Sequence, residues 1–130
     1  MTRNLLDGVA AFTRAAELPM ATTPQWPDQP TRNLRRALLC EELGEYLDAE
    51  DTDDLVAAVD GLLDVIVVAW GTLLTYIGPD HARAAADEVT TSNLAKIVDG
   101  HVIRRADGKI LKPEGWTPPD IAGALNGDAS

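Results

Sequence analysis

Five carboxylates sit at helical spacing between Arg36 and Asp64, and together they pose a chemical problem. Glu41, Glu42 and Glu45 occur in Arg-Ala-Leu-Leu-Cys-Glu-Glu-Leu-Gly-Glu-Tyr, among mostly apolar neighbours. At about 100° per residue, Glu41 and Glu45 lie roughly 40° apart on a helix, with Glu42 in the same quarter. Asp60 and Asp64 repeat the i, i+4 spacing on the next helical segment. Carboxylates gathered on two facing helices repel one another unless a cation sits between them. A divalent metal is the simplest answer. Mg²⁺ and Mn²⁺ take carboxylate oxygens in near-octahedral array and bind phosphates through their open positions. An exposed acidic helix face is the competing explanation. Against it stands Asp64, placed where its helix turns wholly apolar and an unpartnered charge is costly.

Other chemistries fit less well. Asp48 to Asp60 has the acid density of a calcium loop, but Asp53 holds the sixth place, where an EF-hand needs Gly. A di-iron bundle needs Glu-x-x-His, and neither His81 nor His101 follows a Glu at that distance. No nucleophile triad, Walker loop or dinucleotide fingerprint occurs. Cys40 is the single cysteine; it excludes an internal disulfide, and the acids beside it disfavour a reactive thiolate.

Ligand-binding candidates lie further along. Asn93 and Lys96, at i and i+3, could offer an amide to a base or sugar and a cation to a phosphate, or be an ordinary exposed pair. Arg104, Arg105, Lys109 and Lys112 are a solvated surface or a phosphate grip. Trp26, in a proline-rich loop, either stacks on a base or anchors its own loop.

The charge distribution agrees with a metal plus a phosphate ligand. The net charge of −10 argues against nucleic acid as a partner. Ten of the 21 acids fall between Glu41 and Asp64, no Lys or Arg occurs between Arg36 and Arg83, and five of the 11 bases cluster from Lys96 to Lys112.

The elements that must position these groups are predicted to be all-α, in one domain spanning 1–130. A first helix covers 1–18 (Leu5, Val9, Phe12 and Ala16 at helical spacing), and a loop with four prolines covers 19–30. Residues 31–98 form the helical core. Thr31 is the expected N-cap of its first helix, with Leu34, Leu38, Leu39, Leu43 and Tyr46 as the buried stripe. The acidic linker 50–54 caps the next helix, which ends at Gly78-Pro79; Asp80 then opens another reaching about Val98. The middle helix is apolar on nearly every face beyond Asp64, which calls for a partner subunit. Trp70 reads as core and His81 as surface. In 99–130, two arms flanking Ala-Asp-Gly read as a small β-hairpin, followed by an extended arm. The apolar run Val65 to Ile77 is too short to span a membrane, and no signal peptide is apparent, so a soluble cytoplasmic protein is expected.

Glu41-Glu42-x-x-Glu45 with an acid pair on the next helix resembles the motif of the MazG-like, all-α nucleoside triphosphate pyrophosphohydrolases. Ser92-Asn93-Leu94-Ala95-Lys96, then Arg105-Ala-Asp-Gly-Lys109-Ile-Leu-Lys112-Pro and a late Pro-Pro-Asp, is similar to the phosphoribosyl-ATP pyrophosphohydrolase-like branch. The likeness covers roughly Arg36 to Asp120. It implies a four- to five-helix bundle, dimeric or a dimer of dimers, that uses Mg²⁺ or Mn²⁺. The implied reaction splits a nucleoside triphosphate between its α and β phosphates, releasing pyrophosphate. It also implies metal binding by Glu42, Glu45 and Asp64, with Glu41 a further ligand or the water-orienting base, and nucleotide contacts from Asn93 and Lys96. One departure stands out: the family's second motif is Glu-x-x-Asp, and Gly61 holds the place of that Glu. Asp60, one turn from Asp64, is the substitute the sequence offers. A catalytically weak nucleotide-binding or dimerisation module of the same fold is the alternative.

Overall fold

The computed structural model describes residues 3–127 and confirms an all-α chain. Its helices are α1 (Leu5–Ala15), α2 (Gln29–Asp51), α3 (Leu55–Leu94) and α4 (Ile121–Asn126). The chain divides at the Pro79–Asp80 junction into two compact units.

In the first unit, Asn4 caps α1 by accepting from the Leu6 amide at 2.8 Å. The helix buries Ala10 and Thr13, whereas Phe12 is 68% exposed. The α2 cap is Asp28, three residues before the expected Thr31. Its carboxylate accepts from the Thr31 amide at 2.9 Å, and Pro30 fits the first turn, where no amide is needed. The bonds from Thr31 hold the Asp28 carboxyl below its usual range.

Helices α2 and α3 form an antiparallel hairpin around a tight turn. Asp53 takes the left-handed conformation there (φ 53°), and Asp54 accepts from the Ala57 amide at 3.0 Å to start α3. Beyond the turn, Ala49 and Ala58 are buried. One turn further on, Gly61 lies against Tyr46 so closely that an added Cβ would stand 3.0 Å from the Tyr46 Cα. Still further from the turn, Arg35 donates from Nε to Thr72 Oγ1 (3.0 Å) and from Nη2 to the Val68 carbonyl (2.9 Å). Gly71 leaves room for that guanidinium, since a Cβ there would meet Nη2 at 2.9 Å.

α3 breaks where Gly78 leaves helical geometry (φ 79°, ψ 166°) ahead of Pro79. The break frees carbonyls of the preceding turn, and the proline-rich loop supplies their donors. The Ala21 amide bonds to the Leu74 carbonyl and the Gln25 amide to the Tyr76 carbonyl, both at 3.0 Å. Leu74 beneath them is fully buried, and Trp70 is core as expected.

The leucine stripe expected on α2 is not buried within the single chain. Leu34 and Leu43 are exposed, as are Val59, Leu62, Leu63, Ile66 and Leu73 on α3. By length and composition alone α3 would also pass for a membrane span, a test that the central helix of a water-soluble bundle passes equally.

In the second unit the expected β-hairpin does not form. The segment holds two isolated antiparallel bridges, Val98 with His101 and Arg104 with Ile110, and no strand among the described residues. Ile103 and Ile110 are exposed, so neither arm has a packed face to extend the pairing. The tail is not wholly extended, because Asp120 caps the short α4 through the Gly123 amide. His81, expected at the surface, is buried, with Nε2 3.3 Å from the Gly127 carbonyl.

The Gly78 break is the backbone's most constrained point, because a Cβ would collide with the Ala21 carbonyl oxygen at a φ that disfavours side chains. Gly78→Ala is expected to cost about 1–3 kcal/mol in urea unfolding. An unchanged midpoint would refute the role assigned to this break.

Candidate carboxylate site

The α2–α3 register sets the site. Glu42 follows Arg35 by two helical turns, and Asp64 precedes Val68 by one, so these acids face each other across the hairpin that Arg35 ties. One oxygen each of Glu42, Glu45 and Asp64 lies within 4.8 Å of the other two. Two ligands on one Mg²⁺ stand at most about 4.2 Å apart, so small side-chain rotations would complete a shared coordination. Glu42 and Asp64 are half-buried and Glu45 is exposed. Glu41 and Asp60 are exposed and stand outside the trio. An acid at Gly61 would require α2 to shift, because an added Cβ would stand 3.0 Å from the Tyr46 Cα.

The electrostatics single out Glu42. Its Oε2 is buried and has no hydrogen-bond partner. Burial, then the neighbouring carboxylates of Glu45, Asp64 and Glu41, push its carboxyl above the usual range. A buried acceptor left without a donor is the feature that a bound cation would relieve. The donor set is all oxygen, which suits Mg²⁺ or Mn²⁺ over a thiophilic metal.

Trp26 belongs to the same unit. Its ring meets Tyr76 edge-on at 5.5 Å between centroids, and the Arg32 guanidinium lies 4.0 Å above it. The ring remains 69% exposed.

The other candidates lie in the second unit. Lys96 donates to Asn93 Oδ1 at 3.2 Å. Arg105 is engaged by Asp107 through two bonds, and Arg104 donates to the Gly108 carbonyl at 3.0 Å. Lys112 instead lies 4.8 Å from the centre of the Trp116 ring, and Lys96 lies 5.4 Å from the same centre. The sequence pattern does not single out Trp116. Its one local signal is the Pro-Glu-Gly turn before it.

Compared with known proteins, the chain matches no protein-family model and no curated sequence.

The raised Glu42 carboxyl has a thermodynamic consequence. A group harder to ionise when folded leaves the fold at full strength below its unfolded value, and that contribution is lost as pH rises through the folded value. Glu42→Gln is therefore expected to raise the Tm of metal-free protein at about pH 7 and to leave it nearly unchanged at about pH 4, where the wild-type carboxyl is largely protonated. Thermal scans of both proteins in chelator check this. An equal difference at the two pH values would contradict it.

Proposed function

We propose that the protein is a cytoplasmic, metal-dependent nucleoside triphosphate pyrophosphohydrolase that cleaves between the α and β phosphates and serves to clear or balance nucleotide pools. The observation that carries the reading is the convergence of Glu42, Glu45 and Asp64 around a buried, unpartnered carboxylate oxygen. The motif resemblance adds the reaction class. In this reading Glu42, Glu45 and Asp64 hold Mg²⁺ or Mn²⁺, which supplies neutralisation of phosphate oxygens and a more acidic water. Glu41, exposed beside the trio, is free to orient that water. Asn93 and Lys96 contact the nucleotide, and Trp26 offers its exposed ring to the base.

We further propose that the protein works as a homo-oligomer, a dimer or a dimer of dimers. Support comes from the apolar side chains that α2 and α3 leave exposed, a pattern that marks an association surface. Ile66→Glu is expected to lower the mass measured by sedimentation, and a wild-type monomer at micromolar concentration would end this part of the reading.

The catalytic reading is tested by pyrophosphate release from a panel of canonical, deoxy and modified nucleoside triphosphates, with Mg²⁺, Mn²⁺ or chelator. Metal-dependent release is expected, and Glu42→Gln or Asp64→Asn should lower it by at least about 100-fold with helix content intact. Retained turnover in both variants would sink it. Silence of a folded wild type across the panel would favour a nucleotide-binding module without hydrolysis.

A further inference from the structure

We propose that the apolar cavity between α1, α2 and α3 is a binding site for a small apolar monocarboxylate of the arylalkanoate kind, with the Arg35 guanidinium as its anchor. The inference stands apart from the proposed nucleotide chemistry and uses none of the residues assigned to it.

The cavity lies in the first unit and measures about 220 Å³. Most of its wall is apolar, with Val9 from α1, Pro19 from the loop and Val67 and Val68 from α3. Phe12, Leu18 and Leu34 also line it and are exposed, so the cavity opens to solvent. A cavity of about 150 Å³ walled by aliphatic and aromatic side chains takes a benzene ring. This one therefore has room for a ring with a short arm.

The hydroxyl groups in the wall are already engaged. Thr13 donates to the Val9 carbonyl at 2.7 Å, Thr75 donates to the Pro19 carbonyl at 3.1 Å, and Thr31 serves the Asp28 carboxylate. Arg35 is different. Of its five N–H donors two are placed, Nε on Thr72 Oγ1 and one Nη2 hydrogen on the Val68 carbonyl, both uncharged acceptors. Both hydrogens of Nη1 and the second of Nη2 meet no acceptor among the described residues. These belong to the fork that grips a carboxylate through two parallel bonds.

An exposed lysine or arginine needs no ion pair, because water solvates it. Arg35 is half-buried in an apolar wall, and burial pushes its pKa down. Gly71 seats the guanidinium in that wall, since a Cβ there would stand 2.9 Å from Nη2.

Charge and shape together choose the ligand. One guanidinium neutralises a monoanion. A phosphate dianion would leave net negative charge against apolar walls, and a neutral molecule would leave the guanidinium without a counter-charge. A carboxylate carrying an apolar group satisfies both parts of the cavity.

The test is calorimetric titration of the full chain with sodium phenylacetate, at constant ionic strength in chelator. Saturable binding is expected, with acetate (no ring) and 2-phenylethanol (no charge) each at least about tenfold weaker. Arg35→Met keeps the side-chain stem and removes the cation. It should weaken phenylacetate at least about tenfold and leave 2-phenylethanol within about twofold of wild type. Val67→Phe, which fills the cavity, should abolish binding of both. If Arg35→Met loses helix content, the ligand comparison and Val67→Phe decide. No binding to the wild type, the outcome where a second copy of the chain fills the cavity, overturns the proposal. So does equal affinity for phenylacetate and 2-phenylethanol, or phenylacetate binding unchanged by Val67→Phe.

Discussion

The close approach of α2 and α3 at Gly61 governs the first unit. A glycine there lets the Tyr46 backbone into contact, and the buried Ala49 and Ala58 sustain the narrow gap down to the turn. At the far end the gap is bridged by a cation, as Arg35 reaches over Gly71 to Thr72 and Val68. Small residues near the turn and a guanidinium tie beyond it fix the register of the two helices. Glu42, Glu45 and Asp64 lie between those two fixed points. The carboxylates therefore converge because the helices cannot slide, even though their own repulsion favours separation.

A second constraint operates through the backbone. Gly78 and Pro79 end the helical ladder and leave carbonyl groups that need donors. The loop rich in proline, poor in regular structure of its own, finds order by supplying them from Ala21 and Gln25. That docking sets Trp26 against Tyr76 and beneath Arg32. The α3 terminus at Leu94 repeats the logic in the second unit, where the donor to a freed carbonyl is the indole of Trp116. In both units an aromatic side chain owes its position to a helix that stops.

A carboxylate cluster on α2 and α3 was legible in the sequence because acids at helical spacing on one helix and an acid inside an apolar run on the next are local signals, but the spacing gathered Glu41 and Asp60 with Glu42, Glu45 and Asp64. The all-α class and the glycine–proline break were legible for the same reason. Features set by tertiary contact were not. Thr31 and Asp28 are both good caps, and the helix chose the one that puts Pro30 in its first turn. His81 lies on a polar-looking stretch, yet tail residues bury it through Gly127. The arms around Ala-Asp-Gly had strand-like composition but no third segment to pair with, so only single bridges formed. Trp116 depended on which carbonyl α3 would leave open, and periodicity does not reveal that. Gly61 reads in sequence as a lost ligand, and the fold gives it a packing role instead.

That packing role bears on charge. With Gly61 in place of an acid, the site offers three carboxylates, one of which, Glu42, resists ionisation through burial. One divalent cation leaves three ionised carboxylates with a residual negative charge, which would repel a phosphate. No Lys or Arg between Arg36 and Arg83 is available to offset it. Burial and the neighbouring carboxylates favour the neutral form of Glu42 in the metal-free protein, and a cation bound to the trio would favour the ionised form. Gly61 in place of an acid leaves the three-carboxylate cluster less negative than a fourth carboxylate would make it.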